Sequence, residues 1–359
     1  MINSILNFIK KEKGYALLTL ICVGVFTYLA VVPASHSMKD RDDTPEMHKF
    51  KAAEQQLQKE VDEKGSLETY LKGNPGLAKQ VAALSFFMLI AFSVGLGLNI
   101  YWITKPVWRK GLAYAWEPQT TPWSYVMIYK VVVLFIVFSF GIGLILAFLR
   151  HLGGDASSNF FILLHTTIMD VMCFFFVKKV VLESGGNLRD LGFRVPERQP
   201  LREAFFAWGS YISILPIFGI LLMVLLAIAN LLHYEPPSHP LVSVFLEEDM
   251  RAKPLIIYSI FLAVVAGPIF EEIFFRGFFY SVLRSKLGVR WAMVVTSAFF
   301  ALIHENTFAF WPIFALGMVL AYIYEKRGSL LTPIVLHITH NAIFIYYFFV
   351  AKDIVGLVK

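Results

Sequence analysis

Residues 255–283 read LIIYSIFLAVVAGPIFEEIFFRGFFYSVL. A helix rising about 1.5 Å per residue needs about 20 residues to cross about 30 Å of hydrocarbon, so this run is long enough to span a bilayer. Its charged side chains are Glu271, Glu272 and Arg276, clustered in its second half. Eight further apolar runs accompany it, near 15–32, 79–103, 124–149, 159–182, 204–232, 290–305, 309–325 and 330–350. The chain is 57% hydrophobic and 16% charged, a balance that suits a protein dissolved in lipid rather than a globule of this length in water. The expected fold is all-α, a polytopic transmembrane helix bundle of about eight or nine spans. The seventh and eighth runs are short enough to be tilted or re-entrant.

The net charge of +6 reads as topology rather than as a nucleic-acid surface, because the basic residues gather at alternate ends of the runs. The N-terminus and the connections after runs two, four, six and eight hold 17 Lys and Arg, counting Lys178 and Lys179, against 5 on the opposite side. That excess places the N-terminus in the cytoplasm of an integral, multi-pass protein of the plasma (inner) membrane. Lys10, Lys11 and Lys13 ahead of the first run imitate a secretory signal. The apolar stretch is long for a signal core and no small-residue cleavage site follows it, so it reads as an uncleaved anchor. Cys22 and Cys173 both lie inside apolar runs, which leaves no disulfide framework and no thiolate metal site.

Residues 36–78 form the one sizeable polar segment, where Met47, Phe50, Ala53, Leu57 and Val61 recur at helical spacing and predict a short amphipathic helix, broken at Gly73-Asn74-Pro75-Gly76. A basic connector with Gly and Pro, 184–203, divides the chain into an N-terminal membrane region, 1–183, and a C-terminal membrane domain, 184–359.

An ionisable side chain at the centre of a bilayer costs about 2.5–3.5 kcal/mol on insertion scales, so Glu271, Glu272 and Arg276 together would cost about 8–10 kcal/mol unless they face partners or water. Glu272 and Arg276 stand four apart and can pair on one helical face, leaving Glu271 turned about 100° away and free to meet other helices. The seventh run ends in Phe300-Ala301-Leu302-Ile303-His304, and the ninth holds His337-Ile338-Thr339-His340-Asn341. His337 and Asn341 share a face; His340 sits on the neighbouring one. Counted from Arg284, Arg290 and Arg327, the residues Glu271, His304 and His337 lie about 20, 21 and 15 Å deep, close enough to meet.

These residues resemble the CPBP family of intramembrane CAAX proteases and bacteriocin-processing enzymes, which includes the type II CAAX prenyl endopeptidases. The family motif E-E-x-x-x-R matches Glu271, Glu272 and Arg276, F-x-x-x-H matches Phe300 and His304, and H-x-x-x-N matches His337 and Asn341, in that order and within about 180–350. The resemblance implies an endopeptidase acting on membrane-associated or prenylated peptides and proteins. Glu271, as general base, and His304 would activate the attacking water, and His337 and Asn341 would stabilise the oxyanion, with Glu272 and Arg276 in support.

Glu271, His304, His337 and Asn341 could also hold Zn2+ with a position open for water, although the H-E-x-x-H signature is absent, since Phe308 stands where its second histidine would fall. Two other classes compete. A proton- or ion-coupled transporter would use Glu271, Glu272, His165 and Asp170; a non-catalytic membrane regulator would keep the fold and contact a partner through 36–78. Asp170, within the fourth run, could face the same cavity, neutralise Lys178 through the bundle or mark a pathway, a structural partner being the simplest reading.

Overall fold

A computed structural model describes residues 12–31, 45–104, 121–152, 158–193, 200–234, 245–246, 253–304 and 306–356. Lys10, Lys11 and Glu305 lie outside the described residues. The described residues form helices α1 (Lys13–Val31), α2 (Pro45–Glu63), α3 (Leu67–Gly73), α4 (Pro75–Thr104), α5 (Tyr125–Leu152), α6 (Ser158–Glu183), α7 (Pro200–Leu231), α8 (Lys253–Leu302), α9 (Phe310–Arg327) and α10 (Leu331–Ile354), with no strand among them. The protein is an all-α membrane helix bundle.

Six of these helices, α4 to α8 and α10, are long and apolar enough to cross a membrane. The reconciliation with eight or nine expected spans lies chiefly in α8, which holds two of them. At Gly288 the backbone takes φ 72° and ψ 168°, a left-handed value that glycine adopts without a Cβ clash, and the helix folds back. Phe275 and Phe279 of the first arm meet Phe299 of the second at 6.4 and 5.5 Å between ring centroids, so the arms lie side by side. The second arm, 289–302, spans only about 20 Å at 1.5 Å per residue, short of a full crossing. His304 follows in the turn just after its end at Leu302.

Local chemistry sets the boundaries. Proline opens α2, α4 and α7 at the first helical position, where its missing N–H has no partner to lose. Ser66 caps α3 by accepting from the Thr69 N–H at 3.2 Å. The amphipathic helix expected in 36–78 is α2, and it ends before Gly65 rather than at Gly73; the short α3 follows, and only Asn74 separates it from α4. Gln80 Nε2 donates to Asp353 Oδ2 at 3.4 Å, so the start of α4 and the end of α10 are on one side of the bundle.

The burial pattern is that of a protein in lipid: Phe86, Phe87, Leu144, Phe148, Ile220 and Met223 point outward, while carboxylates and guanidinium groups are packed inside. One apolar cluster joins Trp123, Ile128 and Val131 of the N-terminal region with Val177, Ile273, Phe278, Tyr280 and Tyr324, so the parts either side of 184–203 share a core. Trp123 Nε1 donates across it to the Phe278 carbonyl at 3.2 Å.

Buried ion pairs fix the helices that carry the site. Arg284 donates to both oxygens of Glu325 at 2.7 Å, and Tyr280 adds its hydroxyl at 2.8 Å. Arg327 pairs with Glu203, which also accepts from Thr332 at 2.6 Å, tying α7, α9 and α10 together.

Candidate active site

The first arm of α8 is not a uniform α-helix. Wide i→i+5 turns at Leu262–Ala266 and Ile273–Tyr280 flank the ordinary turn Gly267–Glu272, which begins with Pro268 at its second position. Such turns place side chains at angles that a regular helix cannot, and they recur where a helix carries function. Glycine also allows close approach here, because a Cβ on Gly277 would lie 2.8 Å from the Leu191 carbonyl oxygen.

Glu272 and Arg276 form the expected pair, with Nη1 to Oε1 at 2.9 Å and both side chains sealed from solvent. Arg276 Nη2 also donates to the Gly317 carbonyl at 3.2 Å, and its guanidinium lies 4.6 Å from the Phe300 ring centroid. Three elements therefore hold one cation in place: its own helix, α9 and the second arm of α8.

His337 bridges the two glutamates. Its Nδ1 is 3.0 Å from Glu272 Oε1 and its Nε2 is 3.7 Å from Glu271 Oε2. Glu272 Oε1 already accepts from Arg276, which marks it as an acceptor, so the imidazole carries its proton on Nδ1 and turns Nε2 toward Glu271. The Glu271 side chain is 31% exposed against 3% for His337, so of this pair it is the carboxylate that is open to an incoming molecule.

Asn341 lies one turn beyond His337 and donates from Nδ2 to the Ala263 carbonyl at 2.8 Å. That bond ties α10 to the first wide turn of α8, and it leaves the amide its second N–H. His304 Nδ1 donates to the Phe300 carbonyl at 2.7 Å, which leaves its Nε2 as an acceptor. His304 and His337 both pack edgewise on the Phe300 ring, at 4.9 and 5.8 Å. Phe300 is thus a common platform for His304, His337 and Arg276, a role its motif position did not disclose.

The six residues singled out by the sequence are linked where α8, α9 and α10 converge: His337 meets Glu271 and Glu272, Arg276 pairs with Glu272, His304 shares the Phe300 ring with His337, and Asn341 lies one turn beyond His337. His340 points elsewhere, between the rings of Tyr211 and Phe218 at 5.8 and 5.9 Å. The carbonyls of Ala263 and Gly317 are further participants, which residue type alone cannot reveal. Among the described residues no three His, Cys, Asp or Glu side chains are arranged to hold one metal ion.

The helical membrane bundle carries a buried carboxylate–histidine cluster, and the segment that holds it is similar to known proteins. Residues 253–343 match the family described as Type II CAAX prenyl endopeptidase Rce1-like, which bears out the resemblance drawn from the three motifs. Over 92 residues the chain is 28% identical to YdiL of Bacillus subtilis (strain 168), provisionally named a membrane peptidase. The aligned stretch is 26% of this chain and 36% of that relative. No solved structure matches the chain.

Proposed function

We propose that this chain is an intramembrane endopeptidase that hydrolyses peptide bonds of membrane-associated substrates, prenylated CAAX-type proteins among them. The observation that carries the reading is the open Glu271 carboxylate set against a histidine whose orientation is fixed by the sealed Glu272–Arg276 pair.

In this reading Glu271 takes a proton from water, with His304 Nε2 as the second acceptor beside it, and the water oxygen adds to the scissile carbonyl carbon. Positioned proton transfer of this type contributes about 10²–10⁴ in rate. The negative charge that develops on the carbonyl oxygen is met by the free N–H of Asn341 and by His337 Nε2 when that atom carries a proton; fixed donors in a site sheltered from water stabilise such charge strongly. When the tetrahedral intermediate collapses, the C–N bond breaks and the proton held by Glu271 passes to the leaving amine.

The test is cleavage of a membrane-peptide library, prenylated members included, by the purified full chain in nanodiscs, wild type against Glu271→Gln. Cutting by wild type that disappears in the variant supports the reading. A well-folded wild type that leaves a broad library intact overturns it, in favour of a non-catalytic regulator of the same fold.

A further inference from the structure

The wide turn Ile273–Tyr280 carries Arg276, and Glu271 and Glu272 come just before it, so whatever sets its course sets both carboxylates against His337. Wide turns are rare and persist where surrounding contacts over-determine them. Here those contacts come from outside residues 253–343, the stretch that matches the family. Trp123, just ahead of α5, is 2% exposed and stacks on Phe278 with ring centroids 5.9 Å apart. A buried indole N–H needs an acceptor, and this one takes the Phe278 carbonyl at 3.2 Å. The adjacent Gly277 has the Leu191 backbone against it, where a Cβ would meet the carbonyl oxygen at 2.8 Å. Leu191 closes a short 3-10 turn, Leu188–Leu191, in which Asn187 and Asp190 cap each other's backbone at 2.8 Å. The catalytic helices take the last two carbonyls of this turn: the Tyr324 hydroxyl of α9 donates to Leu191 at 3.2 Å, and the Leu330 N–H donates to Gly192 at 3.0 Å. Leu330 immediately precedes α10 and stands two turns before His337. The two connectors also touch each other, since a Cβ on Gly186 would lie 2.9 Å from Pro122 Cγ.

We propose that the segment ahead of α5 and the connector after α6 form a collar that positions the reacting groups, with Trp123 as its positioning residue. By holding Phe278, Trp123 fixes the arm that carries Glu271 and Glu272; through Leu191 and Gly192 the same collar holds the start of the helix that carries His337. The proposal deepens the endopeptidase reading, and its kinetic part rests on that reading. Phe278 lies six residues beyond Glu272, about 9 Å along the helix at 1.5 Å per residue, so Trp123 acts through the helix and not on the substrate. Such leverage is enough to matter, because a misplacement of about 1 Å at a reacting group can cost about 10²-fold in rate. The collar also gives the N-terminal region a part in the reaction: its helices α5 and α6 bring the two connectors to one side of the bundle, where they meet the catalytic helices.

The experiment uses the full chain in nanodiscs with Trp123→Phe, which keeps an aromatic ring against Phe278 and deletes the N–H donor. Two signals are read. The first is peptide cleavage, where kcat falls by about tenfold while KM stays within about twofold of wild type. The second is the nitrogen-15 resonance of the His337 ring, assigned with His337→Gln, which shifts because its Nδ1 meets Glu272 on the arm that Trp123 holds. The ring of His165, at the Ser139 carbonyl about 24 Å along α5 from Trp123, stays where it is. Tyr324→Phe, which removes the hydroxyl that holds Leu191, moves both signals in the same direction and decides the matter if Trp123→Phe does not fold. An unchanged His337 resonance overturns the proposal even if the chain cuts peptides, and so does a rise in KM with kcat unaltered. A wild type that does not cut overturns the endopeptidase reading, while the His337 signal still decides whether Trp123 sets the arm.

Discussion

Replacing Arg276 by methionine should be far more damaging than losing one surface charge. Arg276 is 1% exposed and makes the 2.9 Å pair with Glu272, the 3.2 Å bond to the Gly317 carbonyl and the contact with Phe300. Methionine fills similar volume, so the loss is electrostatic rather than a cavity. Removing one member of a buried pair leaves an uncompensated charge and costs about 3–5 kcal/mol. Here the survivor is Glu272, fully buried, with Oε2 already lacking a hydrogen-bond partner. The cation–aromatic contact adds about 0.5–2 kcal/mol, for an expected total of about 4–6 kcal/mol. The assay is reversible unfolding in mixed micelles by denaturing detergent, followed by far-ultraviolet circular dichroism. The double variant Glu272→Gln/Arg276→Met removes the stranded charge and should recover more than half of the loss. A single variant within about 0.5 kcal/mol of wild type, the range of ordinary surface changes, would refute the claim that this pair is sealed. So would a double variant no more stable than the single one.

Three further outcomes follow from the same geometry. His337→Ala and Asn341→Ala should each lower kcat by about 10²–10³ if they meet the oxyanion, with a smaller change in KM; steady-state kinetics on a cleaved peptide separate the two effects. Gly277→Ala should destabilise by about 1–3 kcal/mol, because its Cβ would meet the Leu191 carbonyl oxygen at 2.8 Å, whereas Gly97→Ala, with nothing within 4 Å, should be neutral in the same unfolding assay. Cleavage should survive exhaustive treatment with a zinc chelator; loss of activity that returns on adding zinc would contradict a reaction carried by side chains alone.

The membrane class was legible in the sequence because the bilayer imposes a one-dimensional constraint. Every spanning segment must be apolar and about 20 residues long, and a charge inside one is conspicuous by its cost. That is why residues 255–283 alone both announced a span and exposed Glu271, Glu272 and Arg276. The Glu272–Arg276 pair was readable as well, since a spacing of four on a helix is a local distance. What pattern could not give was any distance between helices. That Glu271 meets His337, that Phe300 holds three of the site's side chains, and that the carbonyls of Gly317 and Ala263 take part, all depend on the fold-back at Gly288 and on the wide turns of α8. Periodicity and composition report which face of a helix is apolar, one helix at a time. Which polar groups share the interior is settled by packing between helices, because an ionisable group buried there is stabilised by whichever neighbours the tertiary structure brings to it.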